Sequence, residues 1–147
     1  WMCSKPGSGV IVMKVVDMTV ESFLTDLHPT IEDQIKLTFT ILKVLSDMHD
    51  AGYYHGDTHL GNIMLKRVSD VSNQKYTFHS SVGSFRVFLV DMGKTGSFKN
   101  PGKIMGRPVL SETRKSQDYL LLRDELKLYA PKVFENQEIV DIFKNNV

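Results

Sequence analysis

The sequence is poor in several features, and each shortage removes a class of protein. It has one cysteine, Cys3, in 147 residues, so an internal disulfide framework is excluded. No apolar run approaches the ~20 residues that a membrane-spanning helix needs. The longest, Val10–Met13 continued by Val15–Val16, is interrupted by Lys14. The net charge is only +1, which gives no single-sign field to attract nucleic acid or a membrane surface. No basic segment followed by an apolar one opens the chain, and there is no internal repeat or low-complexity tract. What remains is 41% hydrophobic and 24% charged, the balance of an ordinary globular domain, and one folding unit is expected. The first residue is Trp1 rather than Met, so the chain is expected to be an excerpt of a longer product. A cytoplasmic or host-cell intracellular location is expected from the missing signals.

Along the chain, Ser4–Gly9 is rich in turn formers, and the β-branched Val10–Val16 fits a buried strand running into a linker. Val20–Leu27 reads as a short helix capped by Thr19, with Glu21 in its first turn and His28-Pro29 ending it. Thr30 and Asp33 form a capping-box pair in front of a longer helix. In that helix Ile31, Ile35, Thr38, Ile41, Leu42, Leu45 and Met48 recur at helical spacing. Asp50-Ala51-Gly52 ends it, with Gly52 as a left-handed cap. Ile63–Lys66 and Arg86–Val90 read as two short strands. The polar Ser69–Ser84 between them, with Tyr76-Thr77-Phe78, reads as an extended hairpin or a surface insertion. Lys94–Arg107 reads as a loop, Tyr119–Tyr129 as a leucine-rich helix, and Gln137–Lys144 as a last helix. The expected fold class is α+β, mainly helical, with a small β-hairpin pair beside the functional loop.

The informative stretch is Tyr54-His55-Gly56-Asp57-Thr58-His59-Leu60-Gly61-Asn62-Ile63-Met64-Leu65, which follows a helix and precedes a strand. Further on comes Phe88-Leu89-Val90-Asp91-Met92-Gly93, with apolar residues leading to the acid. Either pattern alone arises often by chance. In this order and setting they are far rarer, and the plainer reading is a turn at each aspartate.

The conjunction resembles the His-x-Asp-x-x-x-x-Asn catalytic loop and the Asp-Phe-Gly metal motif of the protein-kinase-like superfamily. The resemblance implies the C-lobe of such a domain, with residues 10–17 as the hinge and 18–147 as the lobe. It implies ATP and magnesium as cofactors and a protein serine/threonine hydroxyl as acceptor, with no nucleic-acid partner. Asp57 would be the base that orients the hydroxyl, and Asn62 and Asp91 would hold magnesium, a cation that prefers oxygen ligands. Met13, Lys14, Val15 and Val16 would face adenine, with Met64 as the apolar floor beneath it. His59 stands where protein kinases often carry a phosphate-contacting lysine. His55 would be a packed structural histidine, and Asp118, opening the leucine-rich helix, either the structural aspartate that ties that helix to the loop or a simple N-terminal helix aspartate. Met105–Leu110 is faintly similar to the segment that positions a substrate peptide.

The departures are equally specific. Only about a dozen residues precede Lys14–Val16, too few for a glycine-rich strand pair, its lysine and a helix-borne glutamate. Gly7-Ser8-Gly9 before Val12-Met13-Lys14 imitates a glycine loop but leaves no room for the strand and turn. The chain alone is therefore expected to bind ATP weakly or not at all. Gly56 replaces the usual arginine, Met92 replaces phenylalanine, and the Ala-Pro-Glu signature is absent. The compact outline resembles kinases of large DNA viruses and bacterial effectors. Two alternatives stay open: a small-molecule phosphotransferase of the aminoglycoside or choline kind, and a non-catalytic pseudokinase or interaction module.

Overall fold

The computed structural model describes residues 2–3, 11–12, 18–69, 71 and 74–147. In chain order the elements are β1 (Met2–Cys3), β2 (Ile11–Val12), β3 (Met18–Thr19), α1 (Val20–Asp26), α2 (Ile31–Asp50), β4 (Tyr53–Tyr54), β5 (Ile63–Arg67), β6 (Thr77–Ser80), β7 (Gly83–Leu89), β8 (Gly96–Ser97), β9 (Lys103–Ile104), β10 (Arg107–Pro108), α3 (Ser111–Tyr129) and α4 (Gln137–Asn146). Single 3-10 turns lie at Leu60–Asn62, Met92–Lys94 and Pro131–Glu135. The fold is α+β. Of the expected Val10–Val16 strand, Ile11–Val12 pairs antiparallel with Met2–Cys3. The rest, including Met13, Lys14, Val15 and Val16, lies outside the described residues, as does Ser4–Gly9. Among the described residues no helix is long and apolar enough to cross a membrane.

Both early helices begin where local chemistry starts them. Thr19 accepts the Ser22 amide at the head of α1. Thr30 and Asp33 make a complete capping box at the head of α2, satisfying two amides that the helix leaves without internal partners. Gly52, at φ +98°, ends α2 by donating to the His49 carbonyl. The buried stripe of α2 is Leu37, Thr38, Ile41, Leu42 and Leu45, joined by Asp33 and His49. Ile31 is exposed and Ile35 and Met48 are only half-buried, while Leu37, which the periodic reading passed over, is wholly buried.

The expected strand pair is the centre of a larger unit. One four-stranded antiparallel sheet has the order β3-β5-β7-β6. β5 and β7 pair from Ile63↔Leu89 to Arg67↔Phe85, and β6 adds to β7 through a tight turn at Ser81-Val82. The inward positions Ile63, Leu65, Phe85 and Val87 are fully buried. Phe23 of α1 packs edge-on against Phe85 (5.4 Å between centroids) and Phe78 (6.1 Å), joining the first helix to the sheet.

α3 begins eight residues earlier than expected. Ser111–Gln117 holds no apolar residue, so hydrophobic periodicity is silent there, while Glu112, Arg114, Lys115 and Gln117 are good helix formers. Asp118 therefore sits inside the helix rather than at its start. Only Leu122 and Leu126 of the leucine-rich stretch are buried; Leu128 is exposed. Ile139 and Phe143 of α4 close the core beneath them. The Lys94–Arg107 stretch is not a plain loop, because it carries β8, β9 and the start of β10.

Asp33 also reaches across to the sheet. It is buried, and its carboxylate accepts the Ser81 amide at 3.0 Å, the Ser81 hydroxyl and the Thr30 amide. Burial alone raises its pKa, but the Ser81 and Thr30 hydrogen bonds outweigh it and hold the group below its ordinary value of 3.8. A lowered folded-state pKa means a contribution that is full above the unfolded pKa and lost as pH falls through the folded value. Asp33→Asn should therefore flatten the fall of unfolding free energy below about pH 4, measured by urea titration at a series of pH values. A fall as steep as that of the wild type would remove Asp33 from the acid-sensitive groups.

Candidate active site

The loop between β4 and β5 is built on α3. The Asp118 carboxylate, 1% exposed, accepts the backbone amides of His55 (Oδ2, 2.8 Å) and Gly56 (Oδ1, 2.8 Å) and Nε2–H of His49 (2.8 Å). A buried carboxylate with three donors meets the requirement that interior charge be hydrogen-bonded. Its own carbonyl accepts the Thr58 hydroxyl at 2.6 Å. Glu125, two helical turns on and so on the same face, accepts the Leu60 amide at 3.1 Å. One side of α3 thus dictates the path of the chain from His55 to Leu60. Among the described buried polar atoms, His49 Nδ1 is the one without a partner.

The front of the loop is set by the segment that leaves β7. His55 is fully buried; its Nδ1 accepts the Asp57 amide (3.1 Å), so its proton lies on Nε2, which donates to the Val90 carbonyl (2.8 Å). That wiring fits a structural histidine. Thr95 Oγ1 donates to the His55 carbonyl at 3.1 Å. Gly56, at φ +89°, lies under the backbone of Lys94: a Cβ there would come within 2.4 Å of the Lys94 carbonyl oxygen. This contact leaves no room for a side chain at position 56.

Two of the expected site residues, Asp57 and Asn62, are joined directly. Asn62 Nδ2 donates to the Asp57 carbonyl (2.9 Å) and to Asp57 Oδ2 (3.1 Å). The Asn62 backbone carbonyl accepts the Val90 amide at 2.9 Å, extending the β5–β7 ladder by one step. Asp91 follows immediately, where the chain leaves the open end of the sheet. Asp91 is exposed and holds a left-handed conformation (φ 59°, ψ 70°), which is uncommon for a residue with a side chain and which aspartate tolerates better than most. Its carboxylate makes no cap hydrogen bond to the turn that follows.

Around Asp57 Oδ2 two further nitrogens gather, His59 Nε2 at 3.7 Å and Lys94 Nζ at 3.7 Å. His59 Nδ1 accepts the Gly61 amide, so the neutral ring carries its proton on Nε2, the side facing Asp57. Asp57 is one-fifth exposed, and among the described residues its Oδ1 has no hydrogen-bond donor. Met64 is half-buried on β5, between Thr19 and Phe88 of the flanking strands. It lies on the sheet face opposite the buried Ile63 and Leu65. Lys94 and His49 had not been singled out in the sequence. Lys94 directly follows Asp91-Met92-Gly93, but nothing in the local pattern marks His49 as the partner of Asp118.

The oxygen donors suit a hard cation. Asn62 has committed its amide nitrogen to Asp57, which leaves Oδ1 as its available atom, and the Asp91 carboxylate faces solvent. Among the described residues no cluster of three or more His, Cys, Asp or Glu gathers. A cation held by Asn62 Oδ1 or by the Asp91 carboxylate would take most of its shell from water. No protein-family model matches the chain, and no curated protein matches it.

Two substitutions probe this scaffold. Asp118→Ala leaves two amides and a buried imidazole without their acceptor and should cost about 3–5 kcal/mol in urea unfolding. Retained stability together with slow exchange at the His55 and Gly56 amides would mean that the loop is held by other contacts. Gly56→Ala should cost at least ~1–3 kcal/mol through backbone strain and the Lys94 clash, read from the same titration.

Proposed function

We propose that this chain carries the base-and-metal half of an ATP- and magnesium-dependent phosphotransferase acting on serine or threonine hydroxyls of a protein. The observation that carries the reading is the double use of Asn62. Its side-chain nitrogen holds Asp57, while its backbone carbonyl holds the residue before Asp91. A carboxylate and a carboxamide are thereby joined at the sheet end from which Asp91, a second carboxylate, departs. That is the set phosphoryl transfer uses, since the reaction is mostly positioning and charge neutralisation.

Each residue then has a defined task. Asn62 orients Asp57 by engaging its Oδ2, so Oδ1 is left to accept the proton of the attacking hydroxyl. The hydroxyl oxygen bonds to the terminal phosphorus as the bond to the ADP oxygen breaks. Asn62 Oδ1 and the Asp91 carboxylate would hold magnesium, which when bound offsets charge on the phosphate oxygens. Lys94 and the Nε2–H of His59 place positive or donor character beside Asp57 Oδ2, where they could offset charge that develops in the transition state. The exposed position of Asp91 and Met92 fits a site whose other wall comes from elsewhere, such as residues of a longer product or a partner. The adenine contacts at Met13, Lys14, Val15, Val16 and Met64 belong to this proposal.

The test is transfer of labelled phosphate from ATP, at millimolar nucleotide and magnesium, to generic protein acceptors and to aminoglycosides or choline. Asp57→Asn should lower the rate about 10²–10⁴-fold, the usual contribution of a positioned base. Asp91→Ala should raise the magnesium needed for half-maximal rate. Label appearing only on a small alcohol would replace the acceptor class. Equal turnover by wild type and Asp57→Asn would end the enzyme reading.

A further inference from the structure

The charge of this chain is unevenly placed. Between Lys94 and Lys115 stand six bases (Lys94, Lys99, Lys103, Arg107, Arg114, Lys115) and one acid (Glu112), a local charge of +5 in a chain of net +1. The remainder is therefore net acidic. Arg114 is spoken for: it donates to the Pro101 carbonyl (2.9 Å) and lies 4.9 Å over the Tyr54 ring. Lys99, Lys103, Arg107 and Lys115 are exposed and make no ion pair among the described residues.

This segment is not a loose tail. β8 pairs with β4, the strand leading into the candidate site, and the Phe98 amide donates to the Gly52 carbonyl at 2.9 Å. β9 and β10 form a hairpin with its turn at Met105-Gly106, both at positive φ, and the Val109 amide donates to the Gly102 carbonyl beneath it. Residues 102–108 are all exposed, Met105 is 97% exposed and Leu110 is 74% exposed. An ordered ridge thus begins at Lys94, beside Asp57, and presents cations interleaved with a few apolar side chains.

We propose that this ridge selects an acidic polypeptide, one with Asp, Glu or phosphorylated side chains close to the acceptor hydroxyl. The proposal rests on the protein-kinase reading above and names the substrate class for it. Interleaved apolar and basic side chains match a peptide that alternates acids with apolar residues. A nucleic acid would be served better by exposed aromatic rings for its bases, and the ridge itself carries none that is exposed. Individual exposed ion pairs are weak, but three or four acting together amount to about 10- to 100-fold in affinity.

Fluorescence anisotropy tests this without turnover. The probes are a labelled serine peptide flanked by glutamates, its glutamine counterpart, a single-stranded oligonucleotide, and phosphatidylserine vesicles. The glutamate peptide should bind about 10- to 100-fold more tightly than the glutamine peptide, with the margin shrinking as salt rises. The triple variant Lys99→Gln, Lys103→Gln, Arg107→Gln should erase the margin while keeping the wild-type circular dichroism spectrum. Lys132→Glu, on the distant Pro131–Glu135 turn, should leave it intact. Equal affinity for the two peptides, or tighter binding of the oligonucleotide or the vesicles, overturns the proposal. Asp57→Asn should keep the peptide preference, so a failed transfer assay and a failed docking ridge give different results.

Discussion

The buried carboxylate of Asp118 is the contact on which the candidate site depends. A charge removed from water must be satisfied by strong, well-directed donors, and here they are two consecutive backbone amides and one imidazole. Because the donors belong to α2 and to the loop, while the acceptor belongs to α3, one group locks three segments. The His49 ring packs edge-on against Phe98 and Tyr119, and His49 and Asp118 are both buried, so the lock is also shielded from solvent. Loop residues from His55 to Leu60 have little freedom left once α3 is packed.

From that anchor the geometry propagates to the sheet. β5 leaves the loop already committed to its register, because Ile63 and Leu65 must face the core opposite Leu89 and Val87. A slip of one residue would turn each of these side chains toward solvent. The same register sets Asn62 against Val90, so that Asp91 leaves the sheet one residue beyond that pair. The exit point of Asp91 is thus a consequence of core packing, and the proposed chemistry uses it. Closure at the front is steric: Lys94 crosses directly over Gly56, which joins the two motifs through a contact that only glycine permits.

Much of the helical frame was legible locally. Caps and breakers act within three or four residues, so Thr19, Thr30, Asp33 and Gly52 could be read without knowing the fold. Strand positions 63–66 and 86–89 were legible from their apolar runs, whereas the second strand ends before Val90 and begins already at Gly83. The N-terminal half of α3 was not, because Ser111–Gln117 offers propensity but no apolar face. The four-stranded sheet was not, because β3 is two residues long and β6 lies in a polar stretch. Tyr76 shows the same limit: its hydroxyl donates to Asp47 of α2, a tie across 29 residues that no window can see.

The sequence by itself determined where the two chemical motifs lie, how the first two helices start and stop, and that a conjunction resembling a catalytic loop and metal motif is present. These depend on spacing and on neighbours in the chain. Tertiary structure alone decided that His49 would face Asp118, that Lys94 would lie beside Asp57 and exclude a side chain at position 56, and that the bases after Lys94 would form an ordered, exposed ridge. Those facts depend on which distant segments pack together. That choice is made by burial of the shared core and by the need to satisfy one interior charge.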